Sequence, residues 1–251
     1  MNAMDHDLVQ VTTTIGSLRC RVVQQSAATP DLTVVLCHGF GAPGDDLVPL
    51  GGALMQQRSE LGERARFVFP EAPLVLSQFG MAYGRAWWEI DLDRMAAARS
   101  PEAVRRLSQH TPEGLIPARR AMLALVDDLA RQAGDEVSRV VLGGFSQGGM
   151  VATDVALRLE EAPAGLLIFS GSLISEPEWR RRAPSRRGLK VLQSHGTQDP
   201  LLPFERAVAL RDLLVDAGLE VDFLSFEGGH TIPAEALERA ADFLVRSLPP
   251  R

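Results

Sequence analysis

The sequence predicts one domain of the α/β class, with a mostly parallel central sheet, an antiparallel hairpin at the N-terminus and helices on both faces. The chain has 251 residues, of which 45% are hydrophobic, and this suffices for one large core. Strand and helix patterns alternate through the second half, and such alternation requires parallel crossovers. Two short strand patterns flank Ile15-Gly16-Ser17, as in a hairpin.

The first half contains four predicted strands and one predicted helix. They are the hairpin strands Val9–Thr14 and Leu18–Val23, strand Leu32–Cys37, helix Leu47–Leu61 and strand Ala65–Phe69. A glycine-rich loop opens at His38, directly after the third strand. Pro70 and Pro73 end the fourth strand, because proline cannot continue a sheet ladder.

The second half alternates regularly. Its predicted strands are Arg139–Leu142, Gly165–Phe169, Leu189–Gln193 and Val221–Ser225, and its predicted helices are Pro117–Ala133, Met150–Leu159, Phe204–Ala217 and Pro233–Leu248. The first of these helices has apolar residues at helical spacing, and Gly134 ends it.

Residues 74–116 form an excursion from this alternation. The segment contains Trp87 and Trp88, followed by an alanine-rich, charged stretch with helical character. Ser100-Pro101-Glu102 is typical of a helix start, with a capping serine and a proline in the first turn. Long excursions commonly cover a site, so we expect one domain over residues 1–251 whose excursion borders a substrate cleft.

The charge of the chain excludes some classes of partner. The 26 Lys and Arg residues face 32 Asp and Glu, for a formal net charge of −6. This balance argues against nucleic acid or an anionic membrane as the main partner. One basic cluster is expected to be a solvated surface loop, with an anionic substrate or partner as the alternative. Its members are Arg180, Arg181, Arg182, Arg186, Arg187 and Lys190.

The N-terminus and the cysteines predict the compartment. Met1–Gln10 is polar and acidic, without the apolar stretch of a secretory leader, and no segment is long enough to span a bilayer. Cys20 and Cys37 lack a metal-like spacing, and Cys37 lies in an apolar strand where it is expected to be buried. We therefore expect a cytoplasmic protein, with monomer and homodimer both open.

The most specific functional signal is Gly144-Phe145-Ser146-Gln147-Gly148. The pattern G-x-S-x-G is the nucleophile elbow, in which a strand turns sharply into a helix and exposes a serine at the apex. A strand pattern precedes it and a helical pattern follows. Side chains at Gly144 or Gly148 would crowd this strained turn. The sequence therefore predicts that Ser146 is a nucleophile, with a glycine-rich β–α turn as the alternative.

Two further side chains follow later strands. Asp199 comes after the strand at Leu189, and His230 comes after the strand at Val221. Ligands of parallel sheets gather at the carboxyl ends of strands, and the order Ser, Asp, His is the one expected with an elbow. Imidazole can take the serine proton, and the carboxylate can orient the ring. We predict Ser146, Asp199 and His230 as a catalytic triad, with His195 serving the loop's hydrogen bonding.

Acyl chemistry also requires donors for an oxyanion. The N–H of Gln147, which follows the nucleophile, is one candidate, and the N–H of Phe40 in the glycine-rich loop is the other. A metal site at His38, Asp45 and Asp46 matches no recognised ligand spacing, so no metal and no cofactor are expected.

At these residues the chain resembles the carboxylesterase, phospholipase and acyl-protein thioesterase family of α/β-hydrolases. The matching pieces are His38-Gly39-Phe40-Gly41, Pro70-Glu71-Ala72-Pro73, Ala86-Trp87-Trp88-Glu89, Gly144-Phe145-Ser146-Gln147-Gly148-Gly149, His195-Gly196, Asp199-Pro200 with Pro203, and Gly229-His230. The resemblance implies the α/β-hydrolase fold and the same triad and oxyanion groups. It also implies that Trp87 and its neighbour Trp88 line the substrate cleft, with plain packing as the alternative.

The predicted activity is hydrolysis of carboxylic esters, and also of thioesters, through an acyl-enzyme on a small ester or acyl substrate. Two alternatives stay open: a lysophospholipase or peptidase on the same scaffold, and a catalytically silent binding protein with this fold. The loop after Gly39 and the segment Asp91–Ile116 look long for the family, and both border the expected substrate cleft. The resemblance therefore does not predict which acyl groups this chain prefers.

Overall fold

The computed structural model of the protein describes residues 8–26, 30–90, 101–132, 134 and 136–250. Within them the strands are β1 Leu8–Ile15, β2 Leu18–Gln25, β3 Leu32–Cys37, β4 Ala65–Pro70, β5 Leu74–Val75, β6 Arg85–Ala86, β7 Val140–Phe145, β8 Gly165–Phe169, β9 Lys190–Gly196 and β10 Glu220–Phe226. The α-helices are α1 Val48–Gln57, α2 Ser59–Arg64, α3 Pro101–Gln109, α4 Leu115–Gln132, α5 Gln147–Ala156, α6 Glu176–Arg182, α7 Phe204–Asp216 and α8 Ala234–Arg246.

Eight of these strands form one sheet in the order β1-β2-β4-β3-β7-β8-β9-β10. The pairs β1/β2 and β2/β4 are antiparallel, and the pairs from β4/β3 to β9/β10 are parallel. The predicted mostly parallel sheet with an N-terminal hairpin is therefore confirmed. Parallel pairing brings the carboxyl ends of β3, β7, β9 and β10 to the same edge, where the predicted site residues follow.

The sheet separates two hydrophobic cores. Alternate residues of β3 point to opposite faces, so Val35 lies in one core and Val34 in the other. Helices α4 and α5 cover the first face, and α1 and α8 cover the second. Because both faces are covered, the central strands are apolar along their whole length, as β3 is from Leu32 to Cys37.

The predicted helix Leu47–Leu61 is two helices rather than one. The chain is extended at Arg58, between α1 and α2, with φ −140° and ψ 113°. The Arg58 guanidinium pairs with Asp242 of α8, with Nη2 at 2.6 Å from Oδ1. The break thus coincides with a contact to a residue far along the chain, which local periodicity does not report.

The excursion contains more regular structure than the sequence suggested. Strands β5 and β6 pair as a short antiparallel hairpin, and α3 follows. The predicted cap at Ser100 lies outside the described residues, as does the start of the segment Met1–Gln10. Among the described helices, none combines the length and the apolar character that crossing a bilayer requires.

The basic cluster is largely exposed, as predicted, with Arg180, Arg181, Arg187 and Lys190 at the surface, but the prediction that it forms a loop is wrong. Arg180, Arg181 and Arg182 lie on α6, and a 3₁₀ turn, Ala183–Arg186, follows it. Arg186 is 6% exposed, and its Nε donates to the carbonyl oxygen of Ala156 at 2.8 Å. Charge runs predict exposure only on average, and this guanidinium is buried because a distant helix end offers it an acceptor.

Both cysteines are buried and free. Burial raises the pKa of the Cys20 thiol to about 12, and it raises the pKa of Cys37 as well. Cys37 lies at the end of β3, directly before the glycine-rich loop, and packs as the small apolar residue that its strand predicts.

Candidate active site

Ser146 stands at a sharp turn between β7 and α5. Its backbone has φ +55° and ψ −120°, a conformation that residues other than glycine adopt rarely and only when their surroundings enforce it. The Ser146 N–H donates to the carbonyl oxygen of Phe169 on β8 at 2.8 Å, and its own carbonyl accepts from the N–H of Met150 at 3.2 Å. The turn is thus tied to the neighbouring strand and to the first turn of α5.

The flanking glycines are required by close backbone packing. A Cβ atom on Gly148 would lie 1.9 Å from the carbonyl oxygen of Cys37, and one on Gly144 would lie 2.5 Å from the same oxygen. Real Cβ contacts are never this short. The sequence predicted that side chains at these positions would crowd the turn, and the structure shows that the end of β3 is what they would meet.

Asp199 and His230 are in contact. The Nδ1 atom of His230 lies 2.6 Å from Oδ2 of Asp199. The other carboxylate oxygen accepts from the N–H groups of Leu201 and Leu202, both at 2.9 Å. The carboxylate is fully buried and the imidazole is 12% exposed. An acceptor at this distance requires the hydrogen on Nδ1, which leaves Nε2 of the neutral ring as a base.

Main-chain pairing beyond β9 and β10 brings these two residues together. The N–H of Thr197 donates to Phe226 O at 2.9 Å, and the N–H of Gln198 donates to Gly228 O at 2.9 Å. A Cβ on Gly196 would lie 2.3 Å from the carbonyl oxygen of Gly229, so only glycine permits this approach. The need for Gly196 escaped the sequence reasoning, although its position at the end of a strand was a signal.

Asp199 is held as an anion. Burial alone would raise its pKa, but hydrogen bonds from His195, His230 and the N–H of Leu202 outweigh burial and keep the pKa well below its usual range. The Nε2 atom of His195 lies 2.9 Å from Leu202 O and 3.3 Å from Asp199 Oδ2, so this nitrogen carries a hydrogen. His195 therefore supports the loop, as predicted.

The imidazole of His230 packs beside the elbow. Its ring centroid is 4.7 Å from that of Phe145, the residue before Ser146. The carbonyl oxygen of Thr231 accepts from the hydroxyl of Ser170, at 3.1 Å, and Ser170 follows Phe169, to which Ser146 is bonded. Two independent contacts thus hold the His230 loop against the turn that carries Ser146.

The glycine-rich loop passes next to Ser146. A Cβ on Gly39 would lie 3.3 Å from the Cβ of Ser146, so the backbone before Phe40 runs alongside the serine. The loop is fixed by two hydrogen bonds to β6: Gly41 N–H to Arg85 O at 2.9 Å, and Arg85 N–H to Ala42 O at 3.0 Å. Phe40 and Gln147, the predicted oxyanion donors, thus lie in the two segments that flank the serine.

His38 has a structural position that the sequence did not reveal. Its Nδ1 donates to Gly39 O at 2.8 Å, and its Nε2 accepts from the N–H of Ala72 at 3.1 Å. Both ring nitrogens are thereby used within the protein. Burial is the largest influence on this ring and lowers its pKa, which keeps the imidazole neutral. His38 shapes the loop that carries Phe40.

The side-chain amide of Gln147 is hydrogen-bonded to the backbone of the excursion. Its Oε1 accepts from the N–H of Trp87 at 2.9 Å, and its Nε2 donates to Trp88 O at 2.8 Å. The indole N–H of Trp87 donates to His38 O at 3.0 Å. The sequence pattern indicated a role only for the main chain of Gln147, and no local signal marks this link between the elbow and a residue 60 positions earlier.

A cavity of about 530 Å³ lies next to the first turn of α5, and Ser146, Asp199 and His230 are not among the residues that line it. Its walls include Trp88, Met150, Leu107, Ile174 and Arg206. Trp87, in contrast, is not among the residues that line it; this side chain is buried against the glycine-rich loop, where its indole N–H donates to His38 O. Of the two tryptophans predicted to touch substrate, Trp88 is the one at the cavity, and a substrate role for either stays a prediction.

Comparisons with known proteins place this geometry in a family. The sequence profile of the phospholipase/carboxylesterase family matches residues 18–248. The chain is 28% identical over 233 residues to acyl-protein thioesterase 1 of Neurospora crassa, covering 86% of this chain and 87% of that protein. It is 26% identical over 226 residues to carboxylesterase SOBER1 of Arabidopsis thaliana, covering 86% of this chain and 90% of that one.

Solved structures agree with the fold. The crystal structure of esterase PE8 superposes with a TM-score of 0.74 at 28% identity, covering 96% of this chain and 99% of that chain. The structure of Arabidopsis thaliana SOBER1 superposes with a TM-score of 0.71 at 23% identity, covering 87% and 99%, and supports the fold alone. With the profile matching nearly its whole length, this chain is an α/β-hydrolase that belongs to the phospholipase/carboxylesterase family.

Proposed function

We propose that the protein is a serine hydrolase that cleaves carboxylic esters, and also thioesters, through an acyl-enzyme on Ser146. The single observation that carries this proposal is the 2.6 Å contact of His230 with Asp199, in a loop held against the Ser146 elbow. The names of the related acyl-protein thioesterases and carboxylesterases point to the same bond types.

The proposed reaction begins with attack of Ser146 Oγ on the substrate carbonyl carbon. Nε2 of His230 takes the hydroxyl proton, and the carboxylate of Asp199 stabilises the imidazolium that forms. The low pKa of Asp199 suits this role, because the carboxylate stays ionised at every pH at which imidazole acts as a base.

The negative charge that develops on the carbonyl oxygen needs nearby donors. We assign this role to the N–H groups of Phe40 and Gln147, and the latter also lies at the positive end of α5. The imidazolium then protonates the leaving alcohol or thiol. Water activated by His230 attacks the acyl-enzyme and releases the acid, so no cofactor enters the reaction.

Hydrolysis of p-nitrophenyl butanoate and of a matched butanoyl thioester tests the proposal. The wild-type protein should hydrolyse both, and Ser146→Ala should lose turnover by up to about a million-fold, as in other serine hydrolases. Ser185→Ala, which removes a serine hydroxyl remote in sequence from the elbow, is the matched control and should behave as wild type. Near wild-type turnover in Ser146→Ala would refute the assignment of the nucleophile.

A fluorophosphonate probe separates this proposal from the silent binding protein. Such probes form a covalent bond only with an activated serine. The wild-type protein should be labelled, and labelling should disappear in Ser146→Ala. A folded wild-type protein that resists the probe would favour the silent alternative, while a peptide or lysophospholipid substrate panel distinguishes the enzymatic alternatives.

A further inference from the structure

Arg206 is a buried cation that the proposed mechanism does not use. It lies in the first turn of α7, is 1% exposed and lines the cavity beside the elbow. Its Nη2 donates to Leu173 O at 2.7 Å. Its Nε and Nη1 atoms have no hydrogen-bond partner among the residues that the structure describes.

A buried guanidinium with two unused nitrogens needs an anionic or polar partner. Burial lowers the pKa of Arg206 only to about 10, so the side chain is charged at neutral pH. Isolated charges in an apolar setting are strongly unfavourable, and a carboxylate is a partner that guanidinium binds with two parallel hydrogen bonds. Glu89 and Glu113 line the same cavity, but both are exposed, and no ion pair joins them to Arg206 within the described part of the chain.

Two residues in the cavity wall are hydrogen-bonded to the elbow, although Ser146 and His230 are not themselves among the residues that line the cavity. Met150, in its wall, donates its N–H to Ser146 O at 3.2 Å. Trp88, in the same wall, accepts from the side chain of Gln147 at 2.8 Å. With Leu107 and Ile174 these residues form the apolar part of the lining. Arg206 is the buried charge beside them, whereas Glu89, His110 and Glu113 line the exposed part of the cavity. A chain of methylene groups that ends in a charge matches such a lining.

We propose that this cavity receives one arm of an ester substrate whose far end carries a carboxylate, and that Arg206 binds this carboxylate and so selects the substrate. The inference rests on the proposed hydrolase function. The cavity volume of about 530 Å³ lies in the range of small-molecule sites. The arm can belong to the acyl group or to the alcohol, and the experiment distinguishes the two.

Matched pairs of anionic and neutral esters test the proposal. For the acyl arm, p-nitrophenyl monoesters of succinic, adipic and suberic acid are compared with the same compounds capped as methyl esters. For the alcohol arm, the butanoyl ester of 6-hydroxyhexanoate is compared with that of its methyl ester. In the wild type, kcat/KM should favour the anionic member of at least one pair by roughly tenfold or more, the effect of one charged hydrogen bond.

Arg206→Met should reduce this preference to about one or reverse it. Arg186→Met is the matched control, because it removes a guanidinium that is also buried but lies outside the cavity lining, and it should retain the preference. Should Arg206→Met not fold, Arg206→Lys retains a charge and should keep part of the preference. A wild type without any preference, or a preference that survives in Arg206→Met, overturns the proposal.

Binding measured without turnover separates this proposal from the proposed function. Titration calorimetry of Ser146→Ala with monomethyl adipate and dimethyl adipate should show about tenfold tighter binding of the monoanion. The double variant with Arg206→Met should not discriminate. If the protein hydrolyses esters without a charge preference, only the proposed carboxylate site is refuted. If it binds the monoanion selectively but hydrolyses no ester, only the proposed hydrolase function is refuted.

Discussion

The side-chain amide of Gln147 joins the elbow to Trp87 through a hydrogen bond of 2.9 Å from the Trp87 N–H to Oε1. The same amide donates to Trp88 O, so one buried side chain satisfies two backbone groups of the excursion. The residue that offers a main-chain N–H to the proposed oxyanion therefore also fixes the wall of the cavity. Under the proposed function, Gln147 would therefore link the oxyanion donor to the wall of the cavity.

Replacing Gln147 with leucine should destabilise the protein and impair turnover. Two buried backbone groups would lose their partners, at about 1–3 kcal/mol each in the free energy of unfolding. Gln193→Leu is the control, because Gln193 is equally buried but makes one hydrogen bond, to Ala207 O. Urea unfolding should show the larger loss for Gln147→Leu. An equal loss of unfolding free energy in the two variants would contradict the importance of the two hydrogen bonds from Gln147 to the excursion.

Gly148→Ala should be among the most damaging small substitutions at the elbow. The added methyl group would meet Cys37 O at 1.9 Å, so the turn or β3 must move, and overpacking of this kind costs about 1–3 kcal/mol or more. At Gly149 the nearest atom to an added methyl group is at 3.0 Å, and a smaller shift suffices. Gly149→Ala should have the higher melting temperature and the higher rate of ester hydrolysis of the two variants. The opposite order would refute the packing argument.

Asp199→Asn should lower kcat without a comparable loss of folding. The asparagine keeps the shape of the side chain but no longer favours the hydrogen on His230 Nδ1, and loss of this orientation costs about ten-thousandfold in serine proteases. Asp222→Asn, which removes an exposed carboxylate paired with Arg239, is the control and should leave kcat unchanged. A kcat within tenfold of wild type for Asp199→Asn would remove Asp199 from the proposed mechanism.

His38 should make the protein less stable in mild acid. Its pKa is lowered in the folded state, so between that pKa and about 6.5 the unfolded chain binds a proton that the folded protein does not. The free energy of unfolding should therefore be fully retained above about pH 7 and fall as the pH drops, by at most about 1.4 kcal/mol per pH unit from this group. Denaturant unfolding at several pH values measures the slope.

His38→Gln is the informative variant for this pH effect. Glutamine offers a donor and an acceptor but does not titrate, so the slope between pH 7 and pH 5 should become shallower even if the variant is less stable throughout. His110→Gln, which removes an exposed histidine, serves as the control. An unchanged slope in His38→Gln would show that another group carries the acid sensitivity.

Local patterns in the sequence were sufficient to predict the sheet and the elbow. The run from Val140 to Gly149 contains a strand pattern, a turn motif and a helical pattern. The glycines at 144 and 148 indicate that another segment packs closely against the turn, but they do not identify that segment. The order of Ser146, Asp199 and His230 followed from strand alternation, because parallel strands bring their carboxyl ends to one edge. The contact of Asp199 with His230 agrees with that expectation, and their catalytic role stays a prediction.

Other features depended on partners that no local window contains. Arg58 interrupts a helical pattern while contacting Asp242, 184 residues later, and Arg186 is buried against Ala156 although its neighbours are basic. Whether a polar side chain is buried depends on the acceptors that distant segments bring to it. Periodicity and charge runs record only which residues are adjacent in the chain.

The sequence by itself determined the type of fold, the elbow with its serine, and the order of the groups proposed to act with it, since all of these depend on short-range spacing and on strand direction. Only the tertiary structure decided which protein groups meet around the serine. It put the Gln147 amide against Trp87, and it buried Arg206 at a cavity wall with two nitrogens that no described residue pairs with. Such contacts arise when chain segments pack from different sides, and so they leave no local pattern behind.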